Sequence, residues 1–376
     1  MSPSSNTQKP PAAPETPARR LFQVEGKFPM LRGELNSPVI AYEQWGSLNS
    51  DRSNAVLIFT GLSPSAHAAS SPKDPSTGWW EDMLGPDKPI DTNRYFVVCV
   101  NSLGSCFGST GPASIDPNTG QPYRLRFPML SIEDIANAGA LLLDHLGIQR
   151  LHTVVGASMG GMTALAFAML HNQRSEGFVS ISSAARSMPF SIALRSLQRE
   201  LVRSDATWQN GQYDHNTPPD GGMRLARKLG MITYRSSQEW SERFGRERAT
   251  SEIDPGHPFG IDFEVESYLD AQAMKFTGAF DANCYLYLSR AMDLFDAADH
   301  GGSVAKGLSM VKAERALVIG VVSDFLFPVC QQQELAEGLQ EQGINVNYAE
   351  LESIQGHDSF LVDMDRFRPV LADYFK

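Results

Sequence analysis

Residues 151–170, LHTVVGASMGGMTALAFAML, constrain the fold of this chain more than any other stretch. Leu151–Val155 is a short apolar run with β-branched residues, the pattern of a buried parallel strand. Thr163–Leu170 is rich in Ala, Leu and Met and has the composition of a buried helix. Between them lies Gly156-Ala157-Ser158-Met159-Gly160, a G-x-S-x-G at a strand-to-helix turn. Such a turn forces its central residue into a strained backbone conformation, and the flanking glycines remove side chains that would clash. Ser158 Oγ is therefore predicted to stand out at a helix N-terminus, where the dipole and free N–H groups favour a developing oxyanion. The bare pattern is short enough to arise by chance. Its setting between strand and helix, and its extension by Gly161, make it specific.

The remainder of the chain supplies the sheet that such a turn needs. Phe22–Tyr42 alternates like antiparallel strands opening a sheet. Ala55–Thr60 (AVLIFT), Tyr95–Val100 (YFVVCV), Phe178–Ser182, Ala316–Val322 (ALVIGVV) and Asn345–Leu351 read as strands. Ile132–Leu146, a segment around Gln331–Gln342 and a closing stretch from Phe360 have helical character. Alternating strands and helices predict an α/β fold: a mostly parallel central sheet with helices on both faces. Between about Ala185 and Asp299 the alternation lapses into helix-like, arginine-rich sequence. Its position, after the strand that follows the serine helix, lets a cap be inserted without breaking the sheet. The predicted organisation is a Pro/Ser-rich disordered tail over 1–20, a core built from 21–185 and 300–376, and a helical cap over 186–299.

Bulk properties exclude several classes. With 376 residues, 42% apolar and 20% charged, the chain can bury a sizeable core. No apolar run reaches membrane-spanning length and no secretory signal opens the sequence, so a membrane role is not expected. The four cysteines form no C-x-x-C pair, which suits reduced thiols and a cytoplasmic location. Cys106 alone sits in a Gly/Ser-rich loop, where it either lies near a pocket or, as the main expectation, is a small buried residue. A net charge of −11 argues against nucleic acid as a partner. Residues 186–250 nevertheless hold 11 Lys and Arg against 7 Asp and Glu. That local excess points to an anionic ligand or to a solvated face of mixed charge. No metal-ligand spacing or phosphate-binding loop is present.

A serine hydroxyl needs a base that is itself oriented by a carboxylate. On this topology the partners follow in the order Ser, Asp or Glu, His, each after a late strand. Asp324 directly follows ALVIGVV, and His357 lies just past the last strand. Asp293, Asp296 and Asp299 are also downstream, on a predicted helix where solvation is the expectation. His67, after AVLIFT, is a second histidine placed to line the pocket. The oxyanion hole would use the backbone N–H of Met159 and one from the loop at Leu62. Arg195, Arg199 and Arg203 recur at i, i+4 and i+8, which places three guanidiniums on one helix face. Arg224, Arg227 and Lys228 repeat the theme. Guanidiniums suit carboxylates and phosphates, as carried by a carboxylated acyl donor on a phosphorylated carrier or by an amino-acid acceptor.

Several longer strings carry a resemblance: Gly78-Trp79-Trp80, NSLGSCFGSTGPAS (101–114), QPYRLRFP (121–128), GASMGGMTAL (156–165), ARKLGMITYRS (226–236) and QGHDSFL (355–361). Over everything after the tail the chain resembles the homoserine/serine O-acyltransferases of the α/β-hydrolase superfamily. Within them it is most similar to the serine O-succinyltransferases, through Gly61-Leu62-Ser63-Pro64 and Arg195. The resemblance implies acceptor choice at the Gly61–Pro64 loop and acyl-donor choice at Arg195. It implies that Arg227, Tyr234 and Asp358 hold the amino-acid acceptor, with Arg227 at its carboxylate and Asp358 at its ammonium. It implies succinyl-CoA as co-substrate without a resident cofactor, L-serine as acceptor, and a homodimer formed through the cap. Three alternatives stay open from the residues. They are homoserine O-succinylation or O-acetylation, a plain carboxylesterase or thioesterase, and a non-catalytic binding protein of the same fold.

Overall fold

The computed structural model describes residues 16–253 and 258–376. Its centre is an eight-stranded sheet: β1 (Arg20–Gln23), β2 (Val39–Trp45), β3 (Ala55–Phe59), β4 (Phe96–Val100), β5 (Leu151–Ala157), β6 (Ser175–Ile181), β7 (Arg315–Val321) and β8 (Asn345–Leu351), in spatial order β1-β2-β4-β3-β5-β6-β7-β8. Pairing is parallel from β4 through β8, while β2 runs antiparallel to both β4 and β1. Of the predicted tail, residues 1–15 lie outside the described residues, and the Thr16 hydroxyl already bonds the buried Glu43 at 2.6 Å.

The continuous apolar runs lie where both faces are covered. Every residue of β3 and of β4 is buried, whereas β8, at the sheet's edge, alternates partly exposed positions. Around the sheet pack α1 (Ile132–His145), α2 (Met159–Leu170), α8 (Val329–Gln340) and α9 (Met364–Tyr374). Helix α1 starts where Ser131 and Asp134 cap each other's backbone N–H groups, at 3.1 and 2.9 Å. The closing helix predicted from Phe360 is two pieces. A short turn, Ser359–Val362, stops at Asp363, where ψ swings to 56°, and α9 begins at Met364.

Between β6 and β7 the chain leaves the sheet and builds a lid from α3 (Pro189–Ser204), α4 (Asp220–Tyr234), α5 (Ser237–Phe244), α6 (Glu264–Phe276) and α7 (Ala282–Leu294). An antiparallel pair, Arg248–Ile253 with Ile261–Phe263, interrupts these helices. Helix α3 opens with Pro189 in its first turn, where the missing N–H is no loss. Among the described residues no helix is long and apolar enough to cross a membrane.

Two of the long matching strings do structural work. Trp80 is 1% exposed and donates its indole N–H to Phe360 O at 3.1 Å, which ties the loop after β3 to the loop after β8. A Cβ on Gly78 would come within 2.2 Å of the Ala68 backbone, so only glycine fits there. In the 101–114 loop, Ser109 Oγ donates to Asn101 O and accepts from Ala41 N–H, at 2.7 and 2.9 Å, and so clasps the loop to β2.

Candidate active site

Ser158 caps α2 at φ 55°, ψ −123°, a conformation that no ordinary strand or helix residue adopts. The strain persists because its neighbours leave no alternative. A Cβ on Gly156 would lie 1.9 Å from Gly160 O, and one on Gly160 would lie 2.2 Å from Phe59 O. The glycines therefore let β5 run straight into α2 while α2 sits against the end of β3. Ser158 N–H donates to Ile181 O, and its own carbonyl accepts from Ser183 Oγ at 2.8 Å. The N–H groups of Met159 and Gly160, first in the helix, have no intrahelical acceptor. The Gly61–Pro64 loop after β3 lines the same cleft as Ser158, with Leu62 half-buried.

The structure brings the three predicted side chains into a row. His357 Nε2 is 2.8 Å from Ser158 Oγ, and its Nδ1 is 2.7 Å from Asp324 Oδ2. The other Asp324 oxygen accepts the backbone N–H of Leu326 and of Phe327, both at 2.9 Å, which fixes the carboxylate. His357 stacks on Phe327 and meets Phe360 edge-on. Burial disfavours the imidazolium, but the charge and hydrogen bond of Asp324, helped by Asp358, outweigh it and raise the His357 pKa above its ordinary value. This arrangement suits a base that must hold a proton during the reaction.

The cleft over this row has a volume of about 90 Å³ and is roofed by the lid. Arg195, Gln198, Tyr234, Tyr285, Ser289 and Asp358 all reach it. Asp358 also borders a second chamber of about 200 Å³, lined by Arg227, Arg235, Trp240 and Arg243. Arg227 thus faces the neighbouring chamber, its guanidinium 4.7 Å from the centre of the Phe276 ring and 6.0 Å from that of Tyr234. Burial raises the Asp358 pKa despite Arg235, whose Nε lies 3.3 Å from its carboxylate. Burial likewise pushes the Tyr234 phenol up.

Three expectations change here. Asp293 is not solvated: its side chain is 7% exposed and it binds Arg195 Nε at 2.5 Å and Arg199 at 2.7 Å. The buried guanidiniums of α3 need a counter-charge, and α7 supplies it. Nor do the lid cations gather into one anion site. Arg203 lies over the Trp208 ring, while Arg224 and Lys228 both pair with Asp270 of α6. His67 turns away from the cleft to the buried Glu43, at 2.9 Å. Burial lowers its pKa, but the Glu43 carboxylate more than offsets this and leaves it raised.

This geometry matches known proteins over nearly the whole chain. Residues 54–363 fit the family model of the α/β hydrolase fold. A serine O-succinyltransferase of Litchfieldella anticariensis is 57% identical, covering 95% of this chain and 98% of its own. One from Stenotrophomonas maltophilia is 56% identical, with 95% and 97% covered. The crystal structure of a homoserine O-acetyltransferase from Bacillus anthracis superposes with a TM-score of 0.88 at 28% identity, over 95% of this chain and 97% of that one. That of esterase E22 superposes at 0.86 and 29%, over 95% and 99%. The chain belongs to the α/β-hydrolase family.

The lid contributes cleft-lining residues that the sequence pattern marks least. Tyr285, Ser289 and Met292 come from one face of α7 and line the cleft, yet nothing in ANCYLYLSRAMDL marks them as functional. Their spacing at i, i+4 and i+7 was the available signal, and it also fits plain core packing. Arg235 lies in a matching string, but nothing in that string marks its role. It holds Asp358 and donates to Gln355 at 2.6 Å, while Ser236 Oγ donates to Ile354 O. The lid is thereby fastened to the loop that carries His357. A Cβ on Gly356 would strike the Tyr234–Ser236 backbone within 2.9 Å, which is why that fastening needs glycine.

Proposed function

We propose that this α/β hydrolase moves a succinyl group from succinyl-CoA to the hydroxyl of L-serine, giving O-succinyl-L-serine and CoA. The observation that carries the reading is the Ser158–His357–Asp324 row beneath a lid that presents Arg195 to the same cleft. His357 takes the Ser158 proton as Oγ attacks the thioester carbonyl, and Asp324 holds the imidazole in place. The backbone N–H of Met159 and one from the loop at Leu62 receive the oxyanion. As the C–S bond breaks, His357 returns the proton to the CoA thiolate. The succinyl ester stays on Ser158 until the serine hydroxyl, deprotonated by His357, attacks it and regenerates the enzyme.

Arg195 is the group for the free carboxylate of the succinyl chain. Asp358, which borders both chambers, would take the acceptor's ammonium, Arg227 would meet its carboxylate from the neighbouring chamber, and Tyr234 lines the cleft. The reaction needs no resident cofactor. The same reading places the protein in the cytoplasm as a homodimer. Leu197, Leu225 and Ile232, each between 44% and 47% exposed on α3 and α4, are apolar surface that contact through the lid would cover.

The test is CoA-thiol release with succinyl-CoA or acetyl-CoA crossed against L-serine, L-homoserine or neither. Release that requires succinyl-CoA and serine, with O-succinylserine found by mass, supports the proposal. Dependence on homoserine would move the acceptor assignment one methylene away, a change typically worth about 1–3 kcal/mol. Release without an amino acid would make the protein a hydrolase.

A further inference from the structure

Arg195 is one member of a closed set of charges. Its Nε–H donates to Asp293 Oδ1 at 2.5 Å, and one terminal nitrogen donates to Ser187 Oγ at 2.7 Å. The other terminal nitrogen, Nη1, is buried and has no hydrogen-bond partner among the described residues. The second Asp293 oxygen faces Arg199 at 2.7 Å as an ion pair, and Arg199 also donates to Ser289 Oγ at 2.9 Å. The Arg195 and Asp293 side chains are 6% and 7% exposed, and that of Arg199 is 17% exposed. Two guanidiniums thus share one carboxylate and leave a single positive charge. Arg199 does not line the cleft. It borders the open outer side of the lid with Glu200, Arg203 and Arg290.

A buried charge without a partner is unfavourable, and a buried donor without an acceptor adds to that. A carboxylate reaching Arg195 from the cleft would balance the unit's charge and could give Nη1 its missing acceptor. Without Arg199, Asp293 would neutralise Arg195 and the attraction for an anion would largely vanish. Without Asp293, the guanidinium would keep its charge and lose its fixed direction.

We infer that Arg195, Asp293 and Arg199 act as one carboxylate-reading unit, in which Asp293 fixes where Arg195 points and Arg199 keeps the unit at one net positive charge. The class of donor it selects is an acyl thioester ending in one free carboxylate at a set distance from Ser158. Arg199 and Asp293 are positioning residues, since neither touches the reacting atoms. The inference rests on the proposed acyl transfer and adds residues to it.

The experiment compares kcat/KM for succinyl-CoA and acetyl-CoA, with L-serine, in wild type, Arg199→Gln and Arg199→Lys. The expected result is that Arg199→Gln lowers the succinyl preference at least tenfold, through KM for succinyl-CoA, and that Arg199→Lys restores most of it. A preference within twofold of wild type in Arg199→Gln overturns the inference. So does a lysine variant as poor as the glutamine one, because loss of packing and not of charge would then be responsible. Should Arg199→Gln fail to fold, Asp293→Asn decides through the ratio of succinyl-CoA to glutaryl-CoA. A narrowed ratio supports the unit and an unchanged ratio overturns it. Wild-type protein that releases no CoA from succinyl-CoA would defeat the proposed function itself, a result separate from all of these.

Discussion

The sheet-borne half of the candidate active site and the lid-borne half are built on different principles. In the core, backbone geometry does the positioning. Ser158, Asp324 and His357 each follow the carboxyl end of a parallel strand, and Ser158 is held at φ 55° by glycines that admit no side chain. In the lid, side chains position one another. Arg195 is set by Asp293, Asp293 is shared with Arg199, and Asp358 is steadied by Arg235. A backbone-made site leaves a local sequence signature. A site made by side-chain pairing leaves only charges whose partners lie about a hundred residues away.

If the core half carries the chemistry and the lid half the choice of substrate, mutations should separate the two. Ser158→Ala removes the nucleophile and should lower kcat by about 10⁶-fold, measured as CoA release with succinyl-CoA and serine. Near-normal turnover would end the covalent mechanism. Asp324→Asn should reduce kcat by about 10⁴-fold, because the histidine loses the tautomer and the stabilising charge that the carboxylate provides. In the wild type the acid limb of kcat/KM should have its midpoint above the ordinary histidine value of 6.5, since the His357 pKa is raised and only the neutral ring acts as base. Activity therefore climbs as pH rises through that pKa, and in the asparagine variant the midpoint should move down. A limb that does not move would detach His357 from its carboxylate.

Lid substitutions should act on donor choice. Arg195→Leu is expected to lower kcat/KM for succinyl-CoA by about 10²-fold, as loss of a buried ionic contact does, with far less effect on acetyl-CoA. An equal fall with both donors would erase the division between the two regions. The smallest effect concerns stability. Ser158→Gly should relieve the strained backbone and raise the unfolding free energy by about 1 kcal/mol in urea titration, while abolishing activity. Unchanged or reduced stability would mean that the turn stores no strain.

How far the sequence could be read follows the same division. The strands were legible because β3 and β4 are fully buried and continuously apolar, and β5 and β7 carry buried, mostly apolar runs. The row of Ser158, Asp324 and His357 was legible because chain order on such a sheet restricts where each partner can stand. Asp293 was misjudged because its helix looked ordinary and its burial depends on α3, 98 residues earlier in the chain. Arg203, Arg224 and Lys228 looked like ligand-binding cations because a sequence shows charge without showing who neutralises it. The break at Asp363 was hidden by helical composition on both sides.

By itself the sequence determined the parallel sheet, the strained turn at Ser158 and the chain order of Ser158, Asp324 and His357, because each follows from local backbone sterics and from the burial of apolar strands. Only the tertiary structure decided which lid charges are spent on one another, which guanidinium lines the cleft, and where Arg227 faces. Those outcomes depend on distances between segments far apart in the chain. Coulombic and hydrogen-bond energies are set by such distances and by burial, and a linear pattern contains neither.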